Sequence, residues 1–357
     1  MAFPPVPDYS KTTANRAGRA LASGKLTGKD YRDAAEIVNA WRICHAYPLN
    51  TFNATLRKKT TKYRGAIVAQ RLKRLPTIID KLQRQPNMDL TRMQDIGGVR
   101  AIVNNLNELA ELRHDYEEKG RFSHELFDVD DYIGSPKQDG YRGVHLIYKY
   151  NNSLARNSKG NPSQYKGLFI EVQLRTLLQH EWATAVEAVS VMLGQHLKTQ
   201  RGNRSWLEFF EYMSSIFAII EKSPVLNKHK NLTTQQITDQ AAQAISDLHV
   251  IDALGGWKRA AQLIDTHHVD KHYNLIVLNT KDKTVRVRPY TRNNLVAASK
   301  EYSRLEEEAL INPDLDIVLV AAGGIKELKK AYPNYFLDIE NFIEKVKDVV
   351  KVSRREV

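Results

Sequence analysis

Asp95 and Glu171 are the two acids whose settings in the chain invite chemistry. Asp95 opens DIGGVR just ahead of an expected strand, where a carboxylate at a strand edge suits Mg²⁺ and paired glycines let a ligand approach the backbone. Glu171 lies inside FIEVQLRT, and an acid in the middle of an otherwise apolar strand is costly unless it has a partner. Metal binding, with activation of an attacking hydroxyl, accounts for both; a turn cap for Asp95 and an ion pair with a core arginine for Glu171 are the plainer alternatives. Cations stand nearby in sequence. Arg71 and Lys73, two apart on an expected strand, point the same way and suit one triphosphate, with Lys81 a turn or so into the next helix. A guanidinium plane also stacks on adenine, which an ammonium cannot do. The loop DYIGSPKQDGYRGVH holds Lys137, Tyr141, Arg142 and His145, where a tyrosine between glycines can stack on a base while the cations meet phosphate. An exposed tyrosine at a turn is the alternative there. Acidic metal ligands, cations around phosphates and a positioned hydroxyl are together what phosphoryl or pyrophosphoryl transfer requires.

The elements that must hold these residues follow from periodicity. The first sixty residues read as helices, with Ala34, Ile37, Val38, Trp41 and Ile43 at helical spacing before Pro48 and Asn50. Residues 65–73 alternate as a strand, and Pro76 suits the first turn of the helix through Ile78, Ile79 and Leu82. Residues 99–103, 144–150 and 168–174 are further strands; in the last, Leu168, Ile170, Val172 and Leu174 share one face and leave Glu171 with Gln173 on the other. A helical stretch is expected from Thr176 to about Thr266, its stripe of Trp206, Phe209, Phe210, Met213 and Phe217 facing a core. NLIVLNT and TVRVRPY, joined by KDK, read as a hairpin, DIVLVAA as a third strand, and Phe342, Ile343, Val346, Val349 and Val350 as a closing helix. The expected fold is α/β (α+β), a mixed sheet flanked by helices, with a small C-terminal α+β domain. The expected division is N-terminal helices over 1–60, a core over 61–200, a helical extension over 201–270 and the C-terminal domain over 271–357.

At 357 residues and 42% hydrophobic content the chain can bury a large core. It has no apolar run of the ~18 residues a membrane helix needs, and MAFPPVPDYSKTTANR lacks the layout of a signal peptide, so a cytoplasmic location without membrane attachment is expected. The single cysteine, Cys44, excludes an internal disulfide and any multi-thiolate zinc site, and reads as a core residue. The net charge of +12 favours an anionic partner. Arg57, Lys58, Lys59, Lys62, Arg64, Arg71, Lys73, Arg74, Lys81 and Arg84 face only Asp80 among the acids of their own stretch, against the alternative of a merely solvated face.

Over residues 40 to 220 the order of these motifs resembles the synthetase domain of the RelA/SpoT family, with RLKRLPTIIDKL, MQDIGGVR, DYIGSPKQDGYRGVH and EVQLRT in the places of its four motifs. That resemblance implies a nucleotidyltransferase-like fold and a Mg²⁺-assisted pyrophosphokinase, in which Arg71 and Arg100 sandwich the adenine of ATP while Lys73 and Lys81 hold its phosphates. Asp95 and Glu171 would bind the metal, Glu171 doubling as general base; Tyr141 would stack on the acceptor's base, and Lys137, Arg142 and His145 would contact the acceptor. WRICHAYPLNTF, QHEWATAVEAV and GYRGVH look like the toxic small alarmone synthetase branch, and the added C-terminal domain resembles that of the CapRel-like fused toxin-antitoxin proteins. By resemblance that domain is antitoxin-like and pseudo-zinc-finger-like. Tyr332 and Tyr335 would cover the ATP site, a phage structural protein would release them, and the acceptor would be the 3′ end of tRNA, with GDP or GTP as the alternative. The long members' hydrolase domain is not expected ahead of this core, nor their cysteine-based zinc modules. His267, His268 and His272, with Asp265 and Asp270, read as a polar linker. A non-catalytic RNA-binding module is the remaining alternative.

Overall fold

Nine strands, alternating in sequence with helices, pair into one mixed sheet in a computed structural model that describes residues 3–118, 122–151, 162–193, 197, 203–254, 262–264, 273–279, 281–282, 284–291, 294–312, 314–320 and 339–355. The strands are β1 (Ile67–Leu72), β2 (Gly97–Val103), β3 (Glu125–Asp131), β4 (Val144–Lys149), β5 (Phe169–Thr176), β6 (Gln262–Ile264), β7 (Tyr273–Asn279), β8 (Thr284–Tyr290) and β9 (Leu315–Val320), in the order β3-β4-β5-β2-β1-β9-β7-β8-β6. Helices α1 (Lys11–Ala22), α2 (Gly28–Ile43) and α3 (Ala46–Thr60) precede the sheet. Between the strands come α4 (Leu75–Arg84), α5 (Leu106–Glu117), α6 (Leu177–Met192), α7 (Arg204–Glu221), α8 (Thr234–Asp247) and α9 (Leu295–Ile311), and α10 (Glu340–Arg355) follows β9. Local chemistry starts several helices: Ser10 and Asn105 cap α1 and α5, Thr233 and Gln236 form a reciprocal capping box on α8, and Pro76 sits in the first turn of α4.

Strand β5 divides the molecule. Ile170, Val172 and Leu174 are wholly buried on one face with Leu49, Phe52 and Leu56 of α3, while Glu171, Gln173 and Arg175 alternate onto the other face. A Cβ on Gly97 would meet Ile170, His45 and Leu49, so α3 packs closely on the apolar side. The second core, built on the expected aromatic stripe, joins Trp206, Phe209, Phe210, Met213 and Phe217 of α7 to α6 and α8.

Three features depart from the pattern read in the sequence. ELFDVDD forms the edge strand β3, half-exposed and acidic, where charged side chains discourage further pairing instead of marking a loop. The stretch expected to stay helical contains β6, a short parallel partner of β8. The closing helix forms as α10, but Phe342 packs against Phe209, Phe210 and Phe217 of α7.

The C-terminal strands extend the sheet rather than standing apart from it, since β9 pairs antiparallel with β7 and meets β1 at Arg71 and Val320. Helix α9 is tied to the same place by charge. Arg42 on α2 and Glu306 on α9 form an ion pair at 2.8 Å, with 1% and 3% of their side chains exposed. Glu306 also accepts from the backbone N–H of Leu75, at the start of α4, at 2.9 Å and from Tyr302 at 2.5 Å. Arg42 donates to Asn39 at 2.6 Å and lies over the Tyr302 ring. Asp316 on β9 pairs with Arg74. Removing one partner of a buried pair strands the other charge, so Glu306→Gln is expected to lower the unfolding free energy by about 3–5 kcal/mol in urea titrations, whereas the double change Arg42→Met with Glu306→Leu recovers most of the loss. A loss of well under 1 kcal/mol for the single change would contradict the burial of this pair.

Candidate active site

Sheet register gathers the polar residues. Arg71 pairs laterally with Gly98 and Gly98 with Glu171, while Ala69, Arg100, Gln173 and His145 make the next row. Laterally paired residues project to the same face, so four strands present Arg71, Arg100, Glu171, Gln173 and His145 together. Gly98 keeps that row open: a Cβ there would lie 3.5 Å from Glu171 Oε2. Lys73 continues the β1 alternation, its N–H bonded to the carbonyl of Ile96 at 2.8 Å, which sets the two motifs side by side.

Two adjoining cavities open on this face. A smaller one of about 60 Å³ is lined by Lys73, Asp95, Gly98 and Glu171, and a larger one of about 220 Å³ by Lys137, Tyr141, His145, Arg175, Trp182, Glu187 and Phe210, among others. Arg71, Arg100 and Gln173 line both. Asp95 and Glu171 thus line the same cavity. Asp95 binds Lys73 at 2.8 Å and Lys81 at 3.0 Å. Burial would raise its pKa, but the two ammonium groups outweigh it and hold the carboxyl below the usual range. Lys73 is itself lowered, first by burial and then by Lys81 and Arg71 against the pull of Asp95.

Glu171 accepts from His145 Nδ1 at 2.8 Å and from Gln173 Nε2 at 2.9 Å. Burial opposes its ionisation, and His145 overcomes that and lowers its pKa. The ion pair foreseen as the plainer account of Glu171 therefore exists, but with a histidine of the G-rich loop and strand rather than a core arginine. His145 Nε2 lies 2.5 Å from the Tyr141 hydroxyl, which also accepts from Arg175 at 2.7 Å. Burial would depress His145, yet the Tyr141 and Glu171 oxygens at its two nitrogens lift its pKa to about 9. Burial would raise Tyr141, yet Arg175 and His145 bring it down to about 8. At neutral pH His145 is therefore an imidazolium that donates to both neighbours. Arg100 is half-buried where the two cavities meet, and desolvation followed by repulsion from Arg175 and Arg71 lowers its pKa to about 10.

The loop carrying Tyr141 is fixed by Gly140, whose φ of +94° and tight packing against Trp182 and Ser214, both 2.9 Å from any added Cβ, leave no room for a side chain. Lys137 Nζ stands 4.0 Å from the Tyr132 ring centre and 5.2 Å from that of Tyr141. Arg142 is not brought to the cavities: it is 3% exposed and its Nε donates to Ser214 on α7 at 3.0 Å. Successive residues of the loop point opposite ways, so Tyr141 faces the cavity and Arg142 the helix layer. Tyr332 and Tyr335 lie outside the described residues, as do His267, His268, His272, Asp265 and Asp270. Sequence reasoning singled out neither Gln173 nor Arg175 as a site residue, although the alternation that isolated Glu171 places both on its face.

The basic run is less one-sided than its own stretch suggests. Lys62 pairs with Glu111 and Asp115 of α5, and Arg84 with Asp80. Arg57, Lys58 and Arg64 are exposed. Among the described residues no group of three or more His, Cys, Asp or Glu forms a metal cluster. Two carboxylates lining one cavity nonetheless fit Mg²⁺, which commonly takes one or two protein carboxylates and fills its other positions with phosphate oxygens and water.

Residues 70–191 match the family model described as the region found in RelA / SpoT proteins. The chain is 25% identical over 177 residues to the GTP pyrophosphokinase YjbM of Bacillus subtilis, a match covering 47% of this chain and 80% of that one. It is 26% identical over 194 residues to an uncharacterized protein, Rv1366, of Mycobacterium tuberculosis, spanning 54% of this chain and 63% of the relative. The crystal structure of small alarmone synthetase 2 from Bacillus subtilis aligns with 51% of this chain and 92% of its own length, at a TM-score of 0.41 and 20% identity. No helix among the described residues is long and apolar enough to cross a membrane.

The Tyr141 phenol is the titration to follow. With its pKa lowered from 10.0 to about 8, a rise in absorbance at 295 nm worth one tyrosine is expected between pH 7 and 9, and Tyr141→Phe should remove it. A titration curve identical in the two proteins would refute this account of the Arg175 and His145 contacts.

Proposed function

We propose that the chain is a pyrophosphokinase that transfers the terminal pyrophosphate of ATP to a ribose 3′-hydroxyl. The observation that carries this reading is the pair of carboxylates, Asp95 and Glu171, lining a cavity shared with Lys73 and leading past Arg71, Arg100 and Gln173 to a second cavity with Tyr141. A phosphate donor and a base-bearing acceptor need two adjoining pockets with cations where they meet. The family match over residues 70–191 and the likeness to a protein named a GTP pyrophosphokinase support the same chemistry.

In this reading Arg71 and Arg100 flank the adenine and Lys73 with Lys81 holds the phosphates, leaving Asp95 as they turn to the nucleotide. Asp95 and Glu171 would hold Mg²⁺, which when bound neutralises charge on the transferring phosphates. The acceptor's base lies against Tyr141. Its 3′ oxygen attacks the β-phosphorus, the bond from that phosphorus to the bridging oxygen breaks, and AMP leaves with the electron pair. Glu171 takes the hydroxyl proton, with the His145 imidazolium at its other side to stabilise the ionised form before the proton arrives. Lys137 stands beside Tyr141 to meet the acceptor's phosphate.

For the acceptor we favour the 3′-terminal adenosine of tRNA. The net charge of +12 and the exposed Arg57, Lys58 and Arg64 suit a ligand with many phosphates, and the larger cavity has room for a single nucleoside. GDP or GTP is the second reading, favoured by the likeness to the Bacillus subtilis protein named a GTP pyrophosphokinase. The resemblance of the C-terminal part further suggests a toxin held inactive by Tyr332 and Tyr335 until a phage structural protein binds. A tethered inhibitor acts at high effective concentration, so weak docking suffices, and a ligand of the open state relieves it.

Incubation with labelled ATP and either tRNA or GDP is expected to label the tRNA 3′ end, and label confined to the guanosine nucleotide would overturn the preference for tRNA. Asp95→Asn or Glu171→Gln should lower transfer by about 10²–10⁴-fold while nucleotide binding persists. Full transfer activity in both variants would overturn the roles given to the two acids, whereas RNA binding without any transfer by the unaltered chain would favour a non-catalytic RNA-binding role. Tyr332→Ala is expected to increase toxicity in growing cells without a phage trigger; unchanged growth would refute the regulatory part alone.

A further inference from the structure

Gln173 is a neutral side chain set among charges. It alternates onto the face of Glu171, two residues away on β5, and lines both cavities at their junction. Its Nε2 donates to Glu171 Oε2 at 2.9 Å, while its Oε1 accepts from Arg100 Nε at 3.2 Å and from Arg175 at 3.3 Å. The orientation of the amide follows from those neighbours. Turned over, it would set NH₂ hydrogens against two guanidinium groups and a carbonyl oxygen against a carboxylate, three repulsive contacts in place of three attractive ones. The other Glu171 oxygen is held by His145 Nδ1 at 2.8 Å, so each carboxylate oxygen has its own donor. Two donors from different strands fix the carboxylate plane as well as its position.

We propose that Gln173 is a positioning residue for pyrophosphate transfer: its amide fixes the plane of the Glu171 carboxylate and couples that plane to Arg100 and Arg175. The inference rests on the pyrophosphokinase reading. Arg100 belongs to the donor side of that reading, and Arg175 contacts Tyr141 on the acceptor side, so the amide joins the two halves of the site through one group. A glutamate at this position would keep an acceptor for both arginines and lose the donor to Glu171. A methionine would keep the volume and lose both functions.

The test compares Gln173→Met and Gln173→Glu with the unaltered full-length chain. Both are expected to lower kcat about tenfold or more while the KM for ATP stays within about twofold, the range seen when outer partners of a metal-holding carboxylate are removed. Mn²⁺ bound to the protein with a non-hydrolysable ATP analogue, followed by electron paramagnetic resonance, should weaken about tenfold in Gln173→Met. A merely structural role would reduce the folded fraction and leave the Mn²⁺ affinity of the remaining folded protein unchanged. Unaltered kcat in Gln173→Glu overturns the proposal, as does unaltered Mn²⁺ affinity in folded Gln173→Met; if the methionine variant does not fold, the glutamate variant decides. If the unaltered chain transfers pyrophosphate to neither tRNA nor GDP, the functional reading fails while the Mn²⁺ comparison still judges the positioning of Glu171.

Discussion

The parallel pairing of β2 with β5 is the constraint on which the site depends. Gly98 stands beside Glu171 and Arg100 beside Gln173, and β1 then adds Arg71 to the row of Gly98. A slip of one residue would send Glu171, Gln173 and Arg175 into the apolar layer and expose Ile170, Val172 and Leu174 in their place. Burial of those three hydrophobic side chains under α3 therefore fixes the register, and the register fixes the chemistry. The energy that places the polar residues comes from the opposite face of the strand. The ion pairs on the polar face adjust an arrangement already set.

That polar face carries more positive than negative charge. Arg71, Lys73, Lys81, Arg100, Lys137 and Arg175 surround Asp95 and Glu171, and His145 adds a further cation. Asp139 and Glu187 also line the larger cavity, and the cations still outnumber the acids. Burial, followed by repulsion from Arg175 and Arg71, lowers Arg100 to about 10. Such crowding of like charges costs stability, and a bound anion would offset that cost.

Much of this was legible in the sequence, and the misses have physical reasons. The strand period exposed Glu171 because an acid breaks an apolar alternation, and the spacing of Arg71 and Lys73 announced a shared face. Arg142 was misplaced because loop composition carries no direction: only the positive φ at Gly140 and the packing of Ser214 turn its side chain inward. The neutralisation of Lys62 escaped notice because its partners, Glu111 and Asp115, lie on α5, far along the chain. Strand β3 was missed because its acids, acceptable at an edge, look like those of a loop.

The junction between β1 and β9 links the C-terminal elements to the Arg71 end of the site. Strand β1 has a full ladder with β2 on one side and, among the described residues, pairs with β9 at Arg71 and Val320 on the other. One residue of that pair is a cation of both cavities. Immediately beyond it, Arg74 pairs with Asp316, and Glu306 holds the first turn of the helix that carries Lys81. The buried Arg42–Glu306 pair anchors the same segment to α2 and α4. The C-terminal segment is therefore joined to the site through α9, at the start of the helix that carries Lys81, and through β9, beside Arg71, so a displacement of the segment would reach both cations.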